Sequence, residues 1–279
     1  MQLALALLLA SLAPVASLSP APADSVRPSQ GERAARSIYQ VHTVLDATLI
    51  AGGTVAAAIP YLFAKQLIHP RCPCDPREVN SFDRGTIGDA SVFADDLSDV
   101  TVLAAIAAPP VLDALDVGFG GVLLEDSVVY AETMAIDAAF VSVTKAIVQR
   151  PLPRVYAGQG ASIINTPNGY RSFYSGHTTA TVAALSAGAM LYTLRHGDST
   201  FQRTWPWVVT ALIGTSVAVE RVLAGRHFIS DTIVGAATGA AVGVLVPLAH
   251  ERAATAADGV SFGVIPSGDG AALSFALRL

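Results

Sequence analysis

Long stretches without a charged residue dominate this chain. Four of them, each 16 to 18 residues long, are Thr48–Ala64, Thr178–Leu194, Thr204–Val219 and Thr232–Ala249. They exceed the usual length of a strand and lie near the minimum of about 17 residues for crossing a bilayer, so we interpret them as helices. Their many Ala, Gly, Ser and Thr residues allow helix backbones to approach closely. The sequence therefore predicts packed apolar helices.

Composition narrows the classes of protein that remain possible. Of the 279 residues, 52% are hydrophobic and 14% are charged, with a net charge of −5, whereas a soluble domain carries roughly 25% charged residues. These values exclude a disordered chain, a coiled coil and a basic nucleic-acid binder. A multi-span membrane protein and a very apolar soluble helical domain both remain open.

Two further helices contain the acidic residues. One covers residues 97–117 and the other covers residues 123–148. The second helix carries its acids on one side: Glu125, Asp126, Glu132 and Asp137. Such a helix should not expose all of its faces to lipid. The sequence thus predicts six helices after the N-terminal segment.

The two ends of the chain differ from the helical part. Residues 1–23 are apolar and end in small residues and prolines, as in a secretory signal peptide or a retained anchor, which indicates the cell envelope. Residues 24–37 are interpreted as a polar linker and residues 38–250 as the helical domain. Alternating apolar residues around a Ser-Gly-Asp-Gly turn at 267–270 predict a β-hairpin in the tail, residues 251–279.

The first two of three polar clusters flank a long loop. Lys145 and Arg150 end the acidic helix, where basic residues often only complement the helix dipole. The second cluster, Ser175-Gly176-His177, directly precedes a charge-free helix. A serine there caps the helix, the free N–H groups of the first turn attract anions, and His177 can protonate a leaving oxygen. Simple capping is the alternative.

The third cluster lies between two apolar helices and contains Arg221, His227 and Asp231. Because His227 and Asp231 are four residues apart, a helix places them on one face, where the carboxylate can accept the imidazole Nδ1–H. The other nitrogen, Nε2, would then be free as a nucleophile or base. A structural His–Asp pair is the alternative.

Together the three clusters resemble the type 2 phosphatidic acid phosphatase (PAP2) family, which shares its fold with vanadium haloperoxidases and bacterial class A acid phosphatases. The family pattern is Lys-x6-Arg-Pro, then Pro-Ser-Gly-His, then Ser-Arg-x5-His-x3-Asp. The order of the motifs is the same here, and so are the spacings within the second and third motifs. The resemblance implies an all-α fold, a six-helix PAP2-type bundle, to which the tail adds a short C-terminal β-hairpin.

The chain departs from the family pattern at three positions. Leu152 stands where the first motif has its phosphate-binding arginine, Tyr174 where proline is usual, and Glu220 where serine is usual. The change at Leu152 removes a bidentate phosphate contact. Three nearby arginines are candidates to replace it: Arg150, Arg154 and Arg171.

The resemblance implies a phosphatase that needs no metal or other cofactor and hydrolyses a phosphate monoester or pyrophosphate. It implies that His227 is the nucleophile that forms a phosphohistidine, that Asp231 orients it, and that His177 protonates the leaving group. The phosphoryl oxygens would be held by a cradle of five residues: Lys145, Arg150, Ser175, Gly176 and Arg221.

The substrate class leaves several alternatives. We expect a lipid phosphate at the envelope, and a soluble periplasmic phosphatase for small phosphomonoesters is the second hypothesis. A degenerate non-catalytic protein and a vanadate-dependent haloperoxidase are further alternatives. If all six helices cross a membrane after a signal peptide or anchor, the loop with Lys145 and His177 falls on the cytoplasmic side. The membrane members of the family usually face outward, and we expect an outward-facing site.

Overall fold

A computed structural model gives the structure of the protein for residues 36–159, 161–252, 260–267 and 270–277. The predicted signal peptide, the polar linker up to residue 35 and the centre of the predicted C-terminal turn lie outside the described residues.

Six long helices form the body of the molecule. They are α1 (Thr43–Leu62), α2 (Val92–Val117), α3 (Gly121–Val148), α4 (Gly176–His196), α5 (Thr200–Leu223) and α6 (Ile229–Ala249). Four further α-helices have a single turn: Ala64–Leu67, Ser81–Arg84, Pro153–Tyr156 and Ala161–Ile164. Two 3-10 turns cover Pro76–Glu78 and Pro167–Tyr170. The prediction of six helices is thus right for the long ones and too low overall, because short turns in the connections have no periodic apolar pattern.

Serine caps mark the starts of three long helices, and two of these helices, α2 and α5, begin earlier than the sequence predicted because the cap lies ahead of the predicted stretch. The side chains of Ser91 and Ser175 accept hydrogen bonds from the first turns of α2 and α4. Ser199 and Gln202 form a reciprocal capping box at the start of α5. Each cap satisfies backbone N–H groups that a helix start leaves without a partner.

Glycines on α6 bring it against α4. A Cβ atom at Gly235 would lie 2.8 Å from the Ser175 carbonyl oxygen. At Gly239 and Gly243 it would lie still closer to the carbonyl oxygens of Thr179 and Ala183. Since the three glycines are four residues apart, they form one stripe that follows α4. This close packing fixes the start of α6 beside the start of α4.

The acidic helix α3 packs against α1, α4 and α6, and three of its acidic side chains are buried: Asp126, Glu132 and Asp137. Asp126 accepts a hydrogen bond from Arg195 at 2.6 Å. Asp137 accepts one from the Thr179 hydroxyl, also at 2.6 Å. These pairings explain how so apolar a fold holds carboxylates, since a buried charge needs a partner. The acidic side of α3 does not face lipid.

Among the described residues, four helices are long and apolar enough to cross a membrane: α1, α2, α5 and α6. They also expose large apolar side chains, such as Leu62, Leu103 and Leu212. An apolar belt of this kind is typical of a surface in contact with lipid. The helices therefore support membrane association.

The tail contains two strands, β1 (Val260–Ser267) and β2 (Gly270–Leu277), in the segment predicted to form a hairpin. They pair antiparallel, with Val260 opposite Leu277 and Ser267 opposite Gly270. A further bridge joins Tyr39 to Glu251, so the chain enters and leaves the helical body at the same end.

Candidate active site

The three polar clusters meet at one end of the bundle, because consecutive long helices run in opposite directions. The C-termini of α3 and α5 and the N-termini of α4 and α6 all lie at this end. Hydrogen bonds link the clusters directly: the Ser175 N–H donates to the Asp231 carbonyl, and Arg150 donates to the Asp231 carboxylate. The N-terminal part of α2 adds Asp95 and Asp99 to the same place.

His227 is buried between α5 and α6, with 4% of its surface exposed. Its Nδ1 lies 2.7 Å from the carbonyl oxygen of Ser172, so Nδ1 carries the proton and donates. Nε2 is then the unprotonated nitrogen, and it forms no hydrogen bond with any residue that the structure describes. Burial lowers the pKa of His227 to about 3, and the neighbouring Lys145 cation acts in the same direction. The imidazole is therefore neutral at physiological pH.

Asp231 acts on His227 through Ser172 rather than by the direct hydrogen bond that the sequence predicted. Its Oδ2 lies 3.8 Å from the imidazole Nδ1, beyond hydrogen-bond distance. The same oxygen accepts hydrogen bonds from the Ser172 hydroxyl at 2.5 Å and from the Phe228 N–H at 3.0 Å. Asp231 thus holds the two backbone segments between which the imidazole lies.

Arg150 lies behind Asp231. Its Nη1 donates to Asp231 Oδ1 at 2.5 Å and to the Ser230 hydroxyl at 2.8 Å, and its Nη2 donates to Asp83 at 2.8 Å. The guanidinium carbon also lies 4.0 Å from the centre of the Phe228 ring. The structure therefore places Arg150 in a carboxylate network, although the sequence predicted that it holds phosphate.

The sequence did not point to Asp83, the second carboxylate of this network. It lies in the one-turn helix Ser81–Arg84, which the Asn80 side chain caps. Burial alone would raise the pKa of Asp83, but hydrogen bonds from Arg150 and Ser230 outweigh it and lower the pKa to about 2. The only sequence signal was the Asn-x-x-Asp spacing, which also occurs in ordinary turns.

Lys145 runs along the first turn of α4. A Cβ atom at Gly176 would lie 3.9 Å from its Cε, and its Nζ donates to the Arg171 carbonyl oxygen at 2.6 Å. The Ser175 hydroxyl caps the Thr178 N–H. Because the Ser175 N–H is bound to Asp231, the amides of Gly176 and His177 are the first in this turn that lack an acceptor within the helix.

Two acidic residues of α2 contact the remaining predicted site residues. Arg221 donates from Nη1 to Asp95 and to Ser98, each at 2.9 Å. His177 Nε2 lies 2.7 Å from Asp99. In the part of the chain that the structure describes, Arg221 Nε has no partner. Neither aspartate was predicted, because both lie inside a long helix without a recognisable motif.

The three arginines considered as substitutes for the missing first-motif arginine have different surroundings. Leu152 itself is 5% exposed and packs inside. Arg154 donates to the Ala224 carbonyl at 2.7 Å and to Asp95 at 3.4 Å. Arg171 is buried and stacks 3.8 Å from the centre of the Tyr61 ring. Its Nε and Nη2 have no hydrogen-bond partner among the described residues, and burial lowers its pKa.

One comparison with known proteins, the match to a family model, covers the region of the motifs. The family model of the PAP2 superfamily matches residues 126–254. No curated protein matches the chain. Among solved structures, the transmembrane PAP2 type phosphatidylglycerolphosphate phosphatase from Bacillus subtilis is 16% identical, with 72% of this chain and 93% of that chain covered and a TM-score of 0.44. Aquifex aeolicus LpxE is 20% identical, with coverages of 58% and 90% and a TM-score of 0.38. Residues 126–254, which contain all three motifs, thus match the model of the PAP2 superfamily.

Proposed function

We propose that the protein is a metal-independent phosphatase that transfers a phosphoryl group to His227 and then to water. The observation that carries this proposal is the state of His227. It is buried and neutral, its Nδ1–H is fixed by the Ser172 carbonyl, and its Nε2 has no partner among the described residues. A neutral imidazole held in one tautomer with a free nitrogen meets the requirements of a nucleophile.

The reaction divides into two steps. In the first, His227 Nε2 attacks phosphorus, the bond to the leaving oxygen breaks, and His177 gives that oxygen a proton. In the second, water attacks the phosphohistidine, His177 takes a proton from the water, and inorganic phosphate leaves as the P–N bond breaks. Asp231 stabilises the charged imidazole through Ser172, and Asp99 orients His177 by its 2.7 Å contact.

Three cations support phosphate binding near the start of α4. Lys145 and Arg221 act electrostatically on both histidines. Of the three possible substitutes for the first-motif arginine, we favour Arg171. Both Nη atoms of Arg150 donate to carboxylates, and Arg154 donates to a carbonyl and to Asp95, whereas Arg171 retains two unpaired donor nitrogens within the described residues. Charge-assisted hydrogen bonds from such donors hold phosphoryl oxygens firmly.

A lipid phosphate is the substrate class that best suits the molecule. The four apolar helices of the described residues and their exposed leucines and valines support contact of the bundle with lipid. The site lies at the end of this bundle, where a phosphate headgroup can reach it from the membrane interface. This argument favours a lipid substrate over a small soluble phosphomonoester.

Phosphate release by the purified full-length protein in detergent tests the proposal. The panel contains phosphatidic acid, phosphatidylglycerol phosphate, a polyprenyl pyrophosphate and a lipid A phosphate, with glycerol phosphate and nitrophenyl phosphate as soluble substrates. We expect at least one lipid to exceed both soluble phosphates in kcat/KM. A preference for the soluble phosphates would support the periplasmic alternative, and no release from any substrate would contradict the function.

We also propose that the site faces the exterior. The site lies at the opposite end of the bundle from the Tyr39–Glu251 bridge, so an outward-facing site places residues 36 and 252 on the cytoplasmic side. A cleaved signal peptide would place residue 36 outside, and the two expectations are incompatible if all six helices cross. Fluorescent-protein and alkaline-phosphatase reporters fused after residue 279 distinguish them. We expect the fluorescent-protein fusion to fluoresce and the alkaline-phosphatase reporter to be inactive. An active alkaline-phosphatase reporter and a dark fluorescent-protein fusion would contradict the outward orientation.

A further inference from the structure

Three buried side chains converge at the end of the bundle opposite the candidate active site. They are Asp46 near the start of α1, Glu132 in α3, and His250, which directly follows α6. Their exposed fractions are 1%, 3% and 9%. One ligand atom from each lies within 4.8 Å of the other two. None of the three belongs to the PAP2 motifs or contacts the proposed phosphate cradle.

The distances within this far-end cluster are too long for good hydrogen bonds. His250 Nε2 lies 3.5 Å from Asp46 Oδ1 and 3.6 Å from Glu132 Oε2, whereas a charge-assisted N–H···O bond is about 2.7–2.9 Å long. Ligand atoms that share a tetrahedral ion at about 2.0–2.2 Å lie about 3.3–3.6 Å apart. Both distances from His250 Nε2 therefore fit a shared cation better than a hydrogen-bonded ion pair.

A second observation, the hydrogen bonding of the two carboxylates, also points to a cation. Within the described residues, Asp46 Oδ1 and Glu132 Oε2 have no hydrogen-bond partner although both atoms are fully buried. The other oxygen of Asp46 accepts the His42 N–H at 2.7 Å, which fixes the orientation of the carboxylate toward the cluster. Buried carboxylate oxygens that accept no hydrogen bond are costly, and a cation removes that cost.

The imidazole of His250 is oriented as metal-bound histidines usually are. Its Nδ1 lies 2.8 Å from the Val246 carbonyl oxygen and must donate to it. In the neutral form the lone pair of Nε2 then faces the two carboxylate oxygens. A backbone carbonyl that fixes the non-ligating nitrogen is the common outer contact of a metal-bound histidine.

We propose that Asp46, Glu132 and His250 bind a divalent first-row metal ion that joins α1, α3 and the end of α6. Two carboxylate oxygens and one imidazole nitrogen suit Zn²⁺ or Mn²⁺ better than Ca²⁺ or Mg²⁺, which take oxygen ligands almost alone. A 2+ ion balances the charge of two carboxylates beside a neutral imidazole. The role is structural, because the ion lies at the end of the bundle remote from the phosphate site.

Direct metal binding tests this inference on tag-free, full-length protein in detergent. After treatment with a chelator and its removal, Zn²⁺ binding is measured by titration calorimetry, and the bound metal is counted by mass spectrometry. We expect one Zn²⁺ per wild-type chain and a rise in the unfolding temperature when Zn²⁺ is added. The variants His250→Gln and Glu132→Gln are expected to lose both the binding and the temperature rise.

The chain offers a matched control in His196 at the C-terminus of α4. Its Nε2 contacts a single carboxylate, Asp116, at 2.7 Å, which is an ordinary ion-pair distance. The variant His196→Gln is expected to bind Zn²⁺ as the wild type does. If wild-type protein binds neither Zn²⁺ nor, in a parallel titration, Mn²⁺, the proposal is wrong. It is equally wrong if folded His250→Gln protein, checked by circular dichroism, binds Zn²⁺ as tightly as wild type.

Discussion

Arg150 donates from Nη1 to Asp231 at 2.5 Å and from Nη2 to Asp83 at 2.8 Å, so one guanidinium serves two buried carboxylates. Both aspartate side chains are inaccessible to solvent, and Arg150 itself is largely buried. This contact lies behind the loop that carries His227. Arg150 is therefore best described as a residue that positions Asp231, and through it the proposed nucleophile, His227.

The first prediction follows from this network. Arg150→Gln removes the shared partner of two buried carboxylates, and breaking a buried pair in this way costs about 3–5 kcal/mol. We expect a lower unfolding temperature and a strong fall in kcat. The inhibition constant of vanadate should change less than kcat, since Arg150 does not face the phosphate. If vanadate binding weakens as much as kcat falls, Arg150 holds phosphate after all.

A double variant provides the control for Arg150. Asp83→Asn removes one of the two charges that Arg150 neutralises, while the amide keeps the size of the side chain. Arg150→Gln combined with Asp83→Asn should therefore recover part of the unfolding temperature lost in Arg150→Gln alone. Additive losses would show that the two residues do not interact.

The second prediction concerns the two histidines of the proposed mechanism, His227 and His177. His227→Ala should abolish phosphate release, because the described residues offer no other free nucleophile beside the cradle. His177→Ala should lose most activity on alkyl phosphates and least on nitrophenyl phosphate, since a good leaving group needs no proton. Rates on both kinds of substrate report the difference, and an equal loss on the two would exclude His177 as the general acid.

Much of the site was predictable from the sequence because the motifs mark both the residues and their place in the fold. The spacing of Arg221, His227 and Asp231 predicted a site at the junction of two helices, and the structure places them there. Ser175 was predicted to cap α4, and it does. Local patterns of this kind predict structure well, because the geometry of a cap or a short motif depends on residues that are neighbours in the chain.

The contacts that the sequence could not predict are those between distant segments. Asp83 and Arg150 are 67 residues apart, and Arg221 and Asp95 are 126 apart. The sequence predicted Asp231 as the acceptor for His227, whereas the structure has the carbonyl oxygen of Ser172 in that role. A backbone acceptor could not be predicted, because every residue type carries the same carbonyl group. Such partners depend on how distant helices pack against one another. The glycine stripe on α6, for example, sets its position only through contact with the backbone of α4.

The third prediction tests whether Arg171 replaces the missing first-motif arginine. A charge-assisted contact to phosphate is worth about 1.5–3 kcal/mol, or roughly a 10- to 100-fold change in affinity. Arg171→Gln should weaken vanadate inhibition by about that factor, and Leu152→Arg should restore it in the same background. Arg154→Gln is the control, and its effect should be small. If neither Arg171→Gln nor Leu152→Arg alters vanadate binding, both residues face away from the phosphate.

The fourth prediction concerns pH. Burial lowers the pKa of His227 to about 3, so its imidazole stays neutral in mildly acidic solution. The value of kcat/KM, corrected for ionisation of the substrate, should therefore show no loss from His227 above about pH 4.

The free energy of unfolding depends on pH in a different way. Below about pH 6.5 the unfolded chain takes up a proton that the folded chain excludes, so His227 makes unfolding easier by about 1.4 kcal/mol per pH unit until about pH 3. The unfolding temperature of folded His227→Gln should fall less steeply between pH 6.5 and 4.5, and equal slopes would contradict the low pKa.

The last prediction is that catalysis needs no metal ion. The one His, Asp and Glu group at metal-ligand spacing within the described residues lies at the other end of the bundle, and the proposed cradle is built from cations. Protein cations do there what a metal clamp does in other phosphatases. A chelator should therefore leave the initial rate per folded molecule unchanged, while vanadate inhibits by occupying the phosphate position. Because a chelator is also expected to strip the far-end site, the folded fraction must be measured in the same sample, and His250→Gln serves as the variant that already lacks that ion. The mechanism would be overturned if a chelator lowered the rate of folded His250→Gln protein and a divalent ion restored it. Such a result would place a metal ion in the active site.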